Sequence, residues 1–111
     1  MYNRAILAGR LTKDPELRYV PSGHPVASFT LAVDRAFVRK DASKDEPTAD
    51  FFDIVAWRKL AEVASQYLTK GSPVLVEGRI QNRSYQAGDG SKRFVTEIVA
   101  AGEFKPAESD H

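Results

Sequence analysis

Hydrophobic and polar residues alternate with period two along several stretches of the chain, and along one stretch they recur with helical spacing. From Asp50 to Trp57 the alternation puts Phe51, Asp53, Val55 and Trp57 on one face and Phe52, Ile54 and Ala56 on the other. The face with Asp53 is the wetter one, yet it carries a Phe and a Trp, large rings where burial does not ask for them. From Pro73 to Tyr85 an inner row of Val74, Val76, Gly78 and Ile80 opposes an outer row of Glu77, Arg79, Gln81, Arg83 and Tyr85. Cations and rings therefore share the outer side of both strands.

Three more strands follow from the same period. Asn3 to Thr12 sets Ala5, Leu7, Gly9 and Leu11 against Arg4, Ile6, Ala8 and Arg10, with Gly9 marking a bulge or bend. Val26 to Arg35 turns Phe29, Leu31 and Val33 inward and Ser28, Thr30, Ala32 and Asp34 outward. Arg93 to Ala100 closes the set, with ambiguous faces because Val95 and Val99 oppose Phe94 and Ile98. Between the third and fourth strands, Leu60, Val63, Ala64, Tyr67 and Leu68 form one apolar helical stripe, stopped at Lys70-Gly71.

The connections read from their breakers. Lys13-Asp14-Pro15 interrupts the first strand, Glu16 to Val20 continues it briefly, and Pro21-Ser22-Gly23 is a turn. Phe37 to Ala49 is a long charged hairpin loop with Phe37, Arg39 and Lys40 at its base, and Gln86 to Lys92 is a second one. Residues 1–103 read as one domain, and 104–111 as a short flexible end. The fold class is mainly β: an OB-fold, a five-stranded Greek-key barrel with one helix between strands 3 and 4. A five-stranded α+β sheet is the alternative.

Composition narrows the function. The chain has 111 residues, no cysteine, and a net charge of +1 from 16 basic and 15 acidic side chains. It offers no disulfide or thiolate metal site, no apolar run of membrane-spanning length and no signal-peptide layout, which together suggest a cytoplasmic protein. Any affinity for a polyanion must come from the arrangement of charge rather than its total. His24 sits in a turn and His111 is terminal, and neither a nucleophile motif nor a phosphate loop is present. We therefore expect no enzyme, no metal and no cofactor. Aromatic rings interleaved with Lys59, Arg79, Arg83 and Arg93 suit base stacking beside phosphate contacts, which requires a single strand.

The blocks NRAILAGRLTKDPELRYVPSGHPVASFTLAVDR, ADFFDIVAWRKLAEVASQYLTKGS, VEGRIQNRSY and RFVTEIVA, in that order, resemble the bacterial single-stranded DNA-binding protein family over about Met1 to Ala101. The resemblance implies an OB-fold protomer, a homotetramer with a dimer contact along the first strand, and sequence-independent coating of single-stranded DNA in replication, recombination and repair. It also implies a nucleoid-associated cytoplasmic location. It places the stacking aromatics on Phe37, Phe51, Trp57 and Tyr85. Phosphate-contacting cations fall on Arg18, Lys40, Lys59, Lys70, Arg83 and Arg93, and the outer-row pattern adds Arg79. Asp53 departs from members that carry a basic residue there. Members of the family also continue into a linker with an acidic tip that recruits replication and repair proteins. This sequence stops at His111, so such recruitment is expected to be weak or absent, as in a trimmed core or a short paralogue used in DNA uptake. The readings left beside this one are an OB-fold binder of single-stranded RNA, a primosome-like OB-fold adaptor with weak nucleic-acid binding, and an OB-fold nuclease.

Overall fold

The computed structural model describes residues 1–36 and 48–106. The strands are β1 (Ala5–Leu11), β2 (Glu16–Tyr19), β3 (Pro25–Asp34), β4 (Ala49–Trp57), β5 (Pro73–Gln86), β6 (Lys92–Ala100) and β7 (Lys105–Pro106), with helix α1 (Lys59–Tyr67) between β4 and β5. Five long strands close on themselves in the order β1-β3-β4-β6-β5, and β5 pairs back with β1. Among the described strands only the β4–β6 pairing is parallel. Closure with the helix between the third and fourth long strands is the OB-fold barrel that the alternation predicts.

Two glycines turn its corners. β1 pairs with β5 from Ala5 to Arg10 and with β3 at Arg10 and Leu11. A Cβ built on Gly9 would overlap the Ala32 carbonyl, so the expected bend is a point of backbone close approach. β5 likewise leaves β1 and joins β6 at Gly78, where a Cβ would overlap the Val99 carbonyl. The alternation assigned Gly78 only to an inner row.

Leu11, Ala27, Phe29, Leu31, Ile54, Ala56, Val74, Val76 and Ile98 fill the barrel, so β3 buries its odd positions and β4 and β5 their even ones. Ile98 and Ala100 resolve the ambiguity of β6: its even side faces the core, and Val95, Glu97 and Val99 face outward. Ile80, expected inside, is 45% exposed, because beyond Gly78 the β5–β6 ribbon projects past the barrel and loses its inner neighbours.

The helix differs from its predicted stripe. Ala61 and Ala64 are fully buried and Leu60 and Leu68 pack beside the core, whereas Tyr67 is 69% exposed. Two alanines let α1 approach β3 and β4 closely, which centres its contact short of Tyr67. The helix ends when Leu68 becomes extended, its N–H donating to Ala64 O at 3.0 Å. Gly71, at φ 87°, then takes the turn into β5.

Of the 104–111 end expected to be flexible, the described residues Phe104, Lys105 and Pro106 pack on the barrel. Phe104 meets Phe29 edge to face at 6.0 Å, and β7 pairs with Val74 and Leu75. The ring packs against the hydrophobic core from its open side. Among the described residues, no helix is long and apolar enough to cross a membrane.

Candidate nucleic-acid interface

Register partners in a ladder carry their side chains on one face, so the outer surface can be followed from strand to strand. One row runs Thr30–Asp53–Glu97–Gln81 across β3, β4, β6 and β5, about 14 Å at normal strand spacing. A second runs Arg18–Val26–Trp57 from β2 to β4. On the projecting ribbon, Arg83 pairs with Val95 and Tyr85 with Arg93. The predicted outer faces of β4 and β5 thus belong to one continuous surface.

A groove of about 440 Å³ lies in that surface. Arg18, Trp57 and Arg83 stand around it, and the Thr30–Asp53–Glu97–Gln81 row forms its floor. Trp57 is the last residue of β4 and is 41% exposed. The turn after it is held by Arg58, whose φ of 57° lies in the left-handed region and whose N–H donates to Pro25 O at 2.9 Å. Its register partner Val26 is buried, while Trp57 itself stays partly open.

Phe51 and Tyr85 face the same side as Trp57 but lie outside the groove. Phe51 is 66% exposed and sits about 20 Å from Trp57 along β4. Tyr85 is half exposed on the ribbon beside a second shallow depression. Phe37 and Lys40 lie outside the described residues. The base of their loop is pinned, since the Arg35 N–H donates to Thr48 O at 2.9 Å and the Arg35 side chain pairs with Asp50 at 3.0 Å. The hydrogen bond and charge of Asp50 raise the already high pKa of Arg35.

The cations divide into groups. Arg18 and Arg83 reach the groove. Arg93 is tied into its own hairpin, with Nε donating to Ser91 Oγ at 3.1 Å and Nη2 lying 3.7 Å from Asp89. The Asp89 carboxyl is pulled below the usual aspartate pKa, first by the Ser91 hydroxyl and then by the Ser91 N–H. Arg79, on the same sheet face, lies at a different depression with Tyr2 and Arg4. Lys59 opens α1, outside the groove. Lys70 is joined to the groove wall by its backbone, which donates to Asp14 Oδ1 at 2.8 Å.

The sequence reading missed the acidity of the groove. Asp14, Glu16, Asp53 and Glu97 line it together with Lys13, Arg18 and Arg83. Glu97 is only 4% exposed, and its Oε1 accepts from Gln81 Nε2 at 3.1 Å and Arg83 Nε at 3.3 Å. Thr30 Oγ1 donates to Asp53 Oδ1 at 3.2 Å. One signal was available: a glutamate in the middle of the apolar run FVTEIVA needs a partner wherever it points.

The chain matches the family described as "Single-strand binding protein family" over residues 2–105. Over 100 residues, 90% of this chain, it is 54% identical to Single-stranded DNA-binding protein 2 of Listeria innocua, of which that stretch covers 61%. It is 53% identical over the same share to Single-stranded DNA-binding protein of Bacillus cereus, with 57% of that protein covered. To Single-stranded DNA-binding protein A of Bacillus subtilis it is 50% identical, with 56% covered. The chain thus spans roughly three fifths of the length of these relatives.

Proposed function

This chain belongs to the Single-strand binding protein family, and on that premise we propose that it binds single-stranded DNA independently of sequence, coating and protecting it in replication, recombination and repair. Binding combines base stacking on exposed rings with phosphate contacts from Lys and Arg. The role is binding rather than catalysis. The observation that carries the reading is the single outer face on which Trp57 stands between Arg18 and Arg83 while Phe51 and Tyr85 extend it in two directions. A ring can stack only on a base freed from its partner, so this face selects single strands over duplex. Phe37, Lys40, Lys59, Lys70, Arg79 and Arg93 act as further contacts along the bound strand.

The assembly proposed with this function is a homotetramer. Its support here is the outer side of β1, where Ile6 is 56% exposed and Ala8 is exposed beside it, an apolar strip suited to a second copy. Fluorescence anisotropy with matched single-stranded and duplex oligonucleotides tests the function. The expected result is tight, salt-sensitive binding of the single strand alone, with log K falling against log salt by about 0.7 per phosphate contacted. Equal affinity for duplex, or a flat salt response, overturns it. Light scattering tests the assembly, and a monomer at working concentration contradicts it.

A further inference from the structure

The β5–β6 ribbon has a second face, the continuation of the core-facing side beyond the barrel. Asn82, Ser84 and Gln86 of β5 and Lys92, Phe94 and Thr96 of β6 belong to it, and all of them are exposed. Phe94 is 71% exposed, with Lys92 Nζ 5.6 Å from the centre of its ring. Its cross-strand partner is Ser84, one register position from the Tyr85–Arg93 pair on the opposite face. The ribbon therefore carries a ring beside a cation on each side. Among the described residues both edges of the ribbon are open at this point, since β1 leaves β5 at Gly78 and β4 meets β6 only from Glu97 to Val99.

Polar residues flank the Phe94 ring on this face, and Ile80, the exposed aliphatic at its foot, lies about 14 Å along β5 from Ser84. A protein partner needs a wider apolar centre than one ring. A nucleobase does not, because it stacks on a single ring. The charge agrees: this face of the ribbon carries a lysine and no carboxylate, whereas on the other face Arg83 and Arg93 each lie against one. We propose that Phe94 and Lys92 form a further contact site for single-stranded DNA, so that a bound strand passes round the edge of the ribbon and meets a ring on both of its faces; this rests on the single-stranded DNA reading above. Lys92 steadies one side of the ring by cation–π attraction and leaves the other side to a base, while its ammonium meets a neighbouring phosphate.

The test measures oligo-dT binding by anisotropy over a range of salt for the wild-type chain, Phe94→Ala, Phe94→Tyr and Lys92→Gln, with light scattering and thermal unfolding of each. Phe94→Ala is expected to weaken binding by roughly five- to a hundredfold, and Phe94→Tyr, which keeps the ring, to restore most of it. Lys92→Gln should lower the salt slope by about 0.7. Because Phe94 and Lys92 are exposed, assembly and thermal unfolding should stay as in the wild type. Should Phe94→Ala fail to fold, the slope of Lys92→Gln decides alone, and an unchanged slope overturns the inference. Unchanged affinity in folded Phe94→Ala overturns it as well. So does a change of assembly state in Phe94→Ala, which would make this face a contact with a second copy. A wild-type chain that does not bind the oligonucleotide overturns the single-stranded DNA reading itself.

Discussion

Arg83 Nε lies 3.3 Å from Glu97 Oε1, so the cation on the groove wall is held by a carboxylate that is almost wholly buried in the floor. About half of the Arg83 side chain stays exposed. One residue thus neutralises a buried charge and presents a positive one.

Replacing Arg83 by Ala is expected to do two separable things. It leaves Glu97 with Gln81 as its only partner among the described residues, at a cost of about 1–2 kcal/mol in urea unfolding, since the pair is half exposed. It also lowers the salt slope of DNA binding by about 0.7. Unchanged stability would mean that Glu97 does not depend on the pair.

Gly78→Ala is expected to destabilise the fold by about 1–3 kcal/mol, because the new methyl meets the Val99 backbone carbonyl rather than a side chain that can swing aside. Thermal unfolding measures this, and a neutral result would contradict the close approach of β5 and β6.

The barrel and the outer faces of β3, β4 and the start of β5 were legible because period-two alternation is a local signal. Phe51, Asp53 and Trp57 are outward and Ile54 and Ala56 buried, as the spacing requires. What the alternation could not carry is where pairing changes hands. Gly78 is a corner only because β1 and β6 both meet there, and Ile80 is exposed because the ribbon outruns the barrel. Tyr67 was lost to the close packing of Ala61 and Ala64, and Phe104 to a long-range contact with Phe29. The groove was half legible: its arginines and rings lie on outer rows, but the meeting of Asp53 with Glu97 depends on a parallel register that no local pattern encodes.

Acid should loosen the β5–β6 hairpin. The folded pKa of Asp89 is lowered, so the stabilisation it gives is complete above the ordinary aspartate pKa and disappears as pH falls through the lower folded value. Carboxyl NMR titration should find Asp89 below the ordinary aspartate value. Ser91→Ala should return it toward the ordinary value, and no change in that variant would mean that Ser91 is not the cause.

Trp57→Ala is expected to weaken single-stranded DNA binding by about 1–3 kcal/mol, the range for aromatic platforms on OB-folds. Because Trp57 is partly buried beside its register partner Val26, a smaller loss of stability, about 1 kcal/mol, accompanies it. Loss of stability with affinity intact would make the ring a packing residue.

Trp57 is the only tryptophan, so its fluorescence during titration with oligo-dT, at low and high salt, tests stacking on the groove most directly. The account predicts strong quenching that saturates at a fixed ratio of nucleotides to protein and weakens with salt. Binding detected by anisotropy with the Trp57 emission unchanged would contradict it.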